Sequence, residues 1–335
     1  MRCAVVGAGA WGTALADLLA RNGHDVRLWA FEADVVRALR ETHQNPVFLP
    51  GFTIERSIVA TGDHREALEG AAIVVYATPS QHLRRVARSG RPFVRADAVL
   101  TVASKGIEEG TLGLMSDVVS AEVPDRDVVA ISGPSFAAEV AAHQPTAIVA
   151  ASINPQAARL AQDALSGAAF RVYTHDDLIG VELGGALKNV MAVATGIVEG
   201  LGLGNNSRAA LITRGLAEMT RLGVAIGARA STFAGLAGIG DLVLTCTGAL
   251  SRNRAVGVAI GQGKTLEQAL AGKPTVAEGV VTTRSALALA QRAGAGEGVD
   301  MPIVETVHRV LFEGYPPRRA IPELMERGLR AEQDA

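Results

Sequence analysis

The first half of the chain alternates short apolar runs with amphipathic stretches. Residues 3–6, 25–29, 56–60, 72–77, 98–102, 128–131, 146–150 and 170–173 are mostly aliphatic and short enough to be buried strands. Between them, segments near 11–22, 33–41, 63–69, 80–88, 111–120 and 135–142 carry helical spacing. Strands that alternate with helices predict an α/β unit with a largely parallel sheet covered on both faces. From about residue 151 the strand signal fades, 170–173 being its last run, and helical patterns continue from about 176 to the end. The 335 residues, 48% of them hydrophobic, exceed one ordinary core. The pattern therefore divides the chain into a sheet-containing unit at 1–178 and a mostly α-helical unit at 179–335.

The first strand runs into Gly7, Gly9 and Gly12, spaced G-x-G-x-x-G, and a helix follows at once. In a strand-turn-helix unit the first glycine permits the turn. The second lets backbone approach a pyrophosphate, and the third allows close helix-strand packing. A diphosphate then meets the unpaired N–H groups of a helix N-terminus. This context, with a second strand at 25–29, predicts a Rossmann-like dinucleotide-binding domain. Ligands in such sheets lie beyond the carboxyl ends of the strands. Those ends carry Thr78-Pro79-Ser80, Ser104-Lys105-Gly106 and Ser132-Gly133-Pro134-Ser135, small polar residues that are also ordinary turn formers. Lys105 stands out, because a lysine between two small residues at a strand end has clear access to a bound anion. After the second strand, Glu32 has about the separation from the glycines that suits a ribose 2′-OH, or it simply opens the next helix. Arg27 and Arg37 are the nearby cations that could serve a 2′-phosphate.

In the second half, residues 181–190 place Gly184, Gly185 and Lys188 on one helix face. Two glycines there cost about 1 kcal/mol each relative to alanine. That suggests room for a ligand beneath the lysine, or else close helix packing with Lys188 at the surface. Asp241 is a carboxylate in an otherwise apolar, Gly-rich stretch and needs a partner, unless it caps a helix. Ser251-Arg252-Asn253 at a helix start combines backbone N–H groups with a guanidinium fork suited to phosphate. Arg254 beside it reads as a solvated charge. Glu278, in Ala277-Glu278-Gly279, opens a further helix within reach of a cofactor.

Composition narrows the function classes. A net charge of −2 with scattered arginines and 4% aromatics gives no basic stripe, so nucleic acid is not an expected partner. Two distant cysteines, Cys3 and Cys246, lack disulfide or zinc spacing and are expected to be reduced thiols. The seven histidines form no metal constellation, and His82, His143 and His175 read as surface or capping residues. No run reaches the roughly 20 charge-free apolar residues of a membrane span. Cleavage of the N-terminal apolar run as a leader would delete the glycine fingerprint. A cytoplasmic location is expected.

Together these segments resemble the bacterial-type NAD(P)-dependent glycerol-3-phosphate dehydrogenases over nearly the whole chain. The resemblance rests on GAGAWGTALA at 7–16, SKG at 104–106, ISGPSFAAE at 131–139, VELGGALKNV at 181–190 and the run 205–223. It extends through GIGDLVLTCT at 238–247, SRNR at 251–254 and AEGV at 277–280. It implies hydride transfer between NAD or NADP and C2 of dihydroxyacetone phosphate, giving sn-glycerol 3-phosphate for glycerophospholipid synthesis, by an enzyme expected to be a homodimer. Lys188 is then the proton donor and acceptor. Lys105, Gly133, Ser135, Asp241, Ser251, Arg252 and Asn253 join it around the substrate. Ala10, Trp11, Phe31, Lys105, Ala137, Arg252, Val276 and Glu278 line the cofactor with the fingerprint glycines. Phe31 is a departure, since many members carry a basic residue or histidine there. NADH is therefore expected to serve at least comparably to NADPH, with only Arg27 and Arg37 able to reverse the balance. Two other readings fit the residues: another two-domain NAD(P)-dependent hydroxy-acid or sugar-phosphate dehydrogenase, and a non-catalytic dinucleotide sensor that would not need Lys188.

Overall fold

The structure is a computed structural model that describes residues 1–272, 277–294, 297–326, 328 and 332. Its strands are β1 (Arg2–Val6), β2 (Asp25–Trp29), β3 (Gln44–Asn45), β4 (Leu49–Thr53), β5 (Val59–Thr61), β6 (Ile73–Tyr76), β7 (Val99–Val102), β8 (Val128–Ser132), β9 (Thr146–Ala151) and β10 (Phe170–His175). Eight of them form one sheet in the order β10-β9-β8-β7-β6-β1-β2-β5. Neighbours are parallel except β8 and β9, which run antiparallel. Every residue of β6, β7 and β8 is buried, as expected where helices cover both faces of a sheet.

Helices α1 (Ala10–Arg21), α2 (Ala33–Thr42), α3 (His64–Leu68), α4 (Leu83–Gly90), α5 (Met115–Glu122), α6 (Ala137–Ala141) and α7 (Pro155–Leu165) supply that cover. Four local features depart from the sequence reading. The strand expected at 56–60 starts at Val59, after a turn closed by the Ile58 N–H to the Glu55 carbonyl. The helix expected from 111 starts at Met115, because Leu112 sits at φ +60°, a conformation no α-helix contains. The antiparallel pair β3–β4 and helix α7 were not anticipated. β3 has only two residues and β4 carries Pro50-Gly51. The start of α7 is nonetheless well marked, since the Asn154 side chain accepts from Gln156 N and Pro155 follows it.

The second unit is helical: α8 (Leu178–Gly200), α9 (Asn205–Ala225), α10 (Ala230–Phe233), α11 (Asp241–Thr247), α12 (Arg252–Gly261), α13 (Leu266–Leu270), α14 (Glu278–Arg292), α15 (Pro302–Phe312) and α16 (Pro317–Met325). A short π-turn, Leu236–Gly240, leads into α11. Asp177 caps α8 by accepting from Gly180 N, and it ties in α10 by accepting from Arg229 N and Thr232 Oγ1. By length and composition α8 could cross a bilayer, yet its apolar stretch is wholly buried as the axis of this unit. A Cβ on Gly196 would collide with the Arg254 carbonyl, and one on Gly257 with the Val193 carbonyl. Glycine at both positions lets α12 lie directly against α8.

Candidate active site

The carboxyl ends of the central strands and the middle of α8 meet at one carboxylate. Asp241, the first residue of α11, is 1% exposed. Its Oδ1 accepts from Lys188 Nζ at 2.5 Å and its Oδ2 from Lys105 Nζ at 2.6 Å. Lys188 Nζ also donates to Thr245 Oγ1 at 3.0 Å, one turn further along α11. Lys105 Nζ lies 3.4 Å from the Gly133 carbonyl. Asp241 is therefore the shared counter-ion of two ammonium groups, not a helix cap.

Electrostatics follow from this burial. Desolvation acts most strongly on Lys188 and lowers its pKa. Asp241 opposes that shift, the nearby Lys105 charge adds to it, and the result is about 8. Burial alone would raise the Asp241 carboxyl, but the two lysines outweigh it and hold the group below its ordinary range. The site thus keeps one anion and offers one proton near neutrality.

The paired glycines do not leave room for a ligand. A Cβ at Gly184 would stand 2.5 Å from the Ala237 carbonyl, and one at Gly185 would stand 2.7 Å from Ser132 Oγ and 3.4 Å from the Lys105 stem. They admit the π-turn and Lys105, so close packing is the correct account, with Lys188 buried beneath it instead of at the surface.

Around this centre Ser135 Oγ donates to the Gly133 carbonyl at 3.0 Å, and Gly133 adopts φ +145° against Ile148. Ser251 caps α12 by accepting from Arg254 N. Asn253 donates to Asn189 Oδ1 and accepts from Gly279 N, both at 2.9 Å, tying α12 to α8 and α14. Arg252 is exposed at the start of α12 and makes no ion pair among the described residues. Arg254 is not the solvated charge expected, since it pairs with Glu199 at 2.8 Å and donates to the Gly248 carbonyl. Glu278 accepts from Ser80 N at 3.0 Å and Ser80 Oγ at 2.6 Å, and burial raises its pKa.

The rim continues to the glycine loop. Gly7 has φ +114°, and a Cβ there would press on the Ala77 carbonyl at 2.8 Å, while a Cβ on Gly12 would collide with the Gly7 carbonyl. Gly9 alone of the three faces open space, which is what close approach of a pyrophosphate needs. Ala10 and Trp11 open α1 beside it. Trp11 Nε1, Thr78 Oγ1 and Ser132 Oγ are buried without hydrogen-bond partners among the described residues. These orphaned groups at the ends of β1, β6 and β8 fit a polar cofactor lying along the rim. Ala137 begins α6 after β8, and Phe31 follows β2 at 69% exposure. Val276 lies outside the described residues.

Models of the NAD-dependent glycerol-3-phosphate dehydrogenase N-terminus and C-terminus match residues 2–158 and 177–322. The chain belongs to this family. It is 53% identical to the glycerol-3-phosphate dehydrogenase [NAD(P)+] of Geobacter sp. (strain M21), over 99% of the chain and 98% of that relative. The crystal structure of the Coxiella burnetii glycerol-3-phosphate dehydrogenase superposes with a TM-score of 0.93 at 43% identity, covering 97% of this chain and 99% of that one. The corresponding yeast enzyme, from Saccharomyces cerevisiae, gives 0.82 at 29%, covering 98% and 99%.

Sequence reasoning missed two residues that this dehydrogenase site brings in. Thr245 was legible, since it follows Asp241 by one helical turn. Asn189 follows Lys188 directly, but its bond to Asn253 spans 64 residues. Arg27 and Arg37 lie in ion pairs with Asp25 at 3.2 Å and Asp34 at 2.5 Å.

Proposed function

We propose that the chain interconverts dihydroxyacetone phosphate and sn-glycerol 3-phosphate using NADH or NADPH, with Lys188 as the acid-base group. The observation that carries this reading is the buried Lys188 ammonium, held by Asp241 at the end of a rim that begins at the glycine loop. When bound, the nicotinamide gives or takes the hydride. During reduction, negative charge grows on the substrate carbonyl oxygen, and Lys188 stabilises it and then releases its proton to it. In the reverse direction the neutral amine takes the hydroxyl proton. Asp241 keeps Lys188 pointed at the site and balances its charge. Lys105 adds a second cation near the substrate. Ser135 and the Gly133 backbone bound the same space, while Ser251 and Asn253 hold the start of α12 so that Arg252, unpaired and exposed, can grip the phosphate.

On this reading residues 1–178 hold the dinucleotide and 179–335 supply most of the substrate site. Glu278, bonded to Ser80, joins the two beside the cofactor. The product serves glycerophospholipid synthesis in the cytoplasm, and the working form is a homodimer. Steady oxidation of NADH or NADPH on adding dihydroxyacetone phosphate tests the activity. Turnover with a 2-keto acid but not with dihydroxyacetone phosphate would favour a hydroxy-acid dehydrogenase, and cofactor binding without turnover would favour a sensor.

A further inference from the structure

We infer that Arg85 reads the 2′-phosphate of NADP, supplying from α4 the cation that the loop after β2 lacks. This rests on the dehydrogenase reading above. Phe31 lies just past the carboxyl end of β2, where a dinucleotide's adenosine ribose is recognised. Its ring is 69% exposed, and the Arg85 guanidinium lies over it, 5.7 Å from the ring centroid. Trp29 packs beside Phe31: the two rings are 6.5 Å apart and tilted, and Trp29 is itself 6% exposed and stacked on His64. An arginine resting on a braced aromatic face is oriented without using any of its N–H donors.

Arg65, beside the His64 that stacks on Trp29, lies over the Phe93 ring instead, and the other cations nearby are held by carboxylates. Arg27, Arg37 and Arg40 pair with Asp25, Asp34 and Glu66. On α4 itself, Arg84 binds Glu108 and Glu122, and Arg88 binds Glu122. Arg85 is exposed and has no carboxylate partner among the described residues. Its planar fork suits a phosphate, which it can bind through two parallel hydrogen bonds. Glu32, exposed at the start of α2, can instead accept from the free 2′-OH of NAD. One site thereby accommodates both cofactors, with the cation and the anion arriving from different helices.

The test is calorimetric binding of NADP+, NAD+, 2′,5′-ADP and 5′-AMP to the full chain at fixed salt, for wild type, Arg85→Ala and Arg85→Lys. Arg85→Ala should weaken NADP+ and 2′,5′-ADP by about tenfold to a hundredfold, the range for a charge-assisted contact, and change NAD+ and 5′-AMP by less than about threefold. Arg85→Lys should fall between, because a lysine keeps the charge and loses the fork. Unchanged NADP+ affinity, or equal losses for NADP+ and NAD+, would overturn the assignment. Wild type that binds NAD+ but not NADP+ would overturn it while leaving the dehydrogenase reading intact. Binding of neither would remove both.

Discussion

Replacing Asp241 with asparagine keeps the side chain's shape and one acceptor oxygen while deleting the charge that two lysines share. With Lys188 Nζ at 2.5 Å from Oδ1, the lost attraction is roughly 1.6 kcal/mol even at the dielectric of bulk water. It is about four times that at an effective ε of ~20. One pH unit corresponds to about 1.36 kcal/mol, so the Lys188 pKa should fall from about 8 by at least about one unit. Lys105, left facing Lys188 without a shared anion, pushes in the same direction. Reduction needs the ammonium, so its activity is lost as pH rises through the Lys188 pKa. Oxidation needs the free amine and is lost as pH falls through the same value. Both limbs should therefore move downward in Asp241→Asn. The assay is kcat/KM against pH in both directions, since that ratio reports the free enzyme's groups. Limbs within about 0.3 unit of wild type would refute the claim that Asp241 sets the protonation of Lys188.

Lys188→Ala should lower turnover by roughly two to four orders of magnitude with NADH binding nearly unchanged, and a variant keeping more than about a tenth of wild-type turnover would exclude the acid-base role. Arg252→Ala should weaken the use of dihydroxyacetone phosphate by about 1.5–3 kcal/mol and leave unphosphorylated dihydroxyacetone almost unaffected, so equal losses in kcat/KM would place the arginine elsewhere. Gly184→Ala should destabilise the fold by about 1–3 kcal/mol through overpacking on the Ala237 carbonyl, whereas helix propensity alone predicts a gain of about 1 kcal/mol. Denaturant unfolding separates the two signs.

By itself the sequence determined the layered α/β unit, the glycine loop and the change to helices. Buried parallel strands read as nearly continuous apolar runs, and the loop's chemistry depends on residues a few positions apart. It also marked Lys105, Lys188 and Asp241 as chemically exposed to question, because each is a charge among small or apolar neighbours. Only the tertiary structure decided that these three are one group. The Lys188–Asp241 and Lys105–Asp241 bonds span 53 and 136 residues, and no local periodicity encodes a pairing across such distances. The same holds for Gly184 and Gly185, whose purpose depends on what lies opposite them, and for Arg254, whose surroundings include Glu199 from another helix. Arg85 is the clearest case: in sequence it is one of several arginines on α4, and only the stacking of parallel strands places it over Phe31, because sheet order brings together elements that the chain keeps far apart.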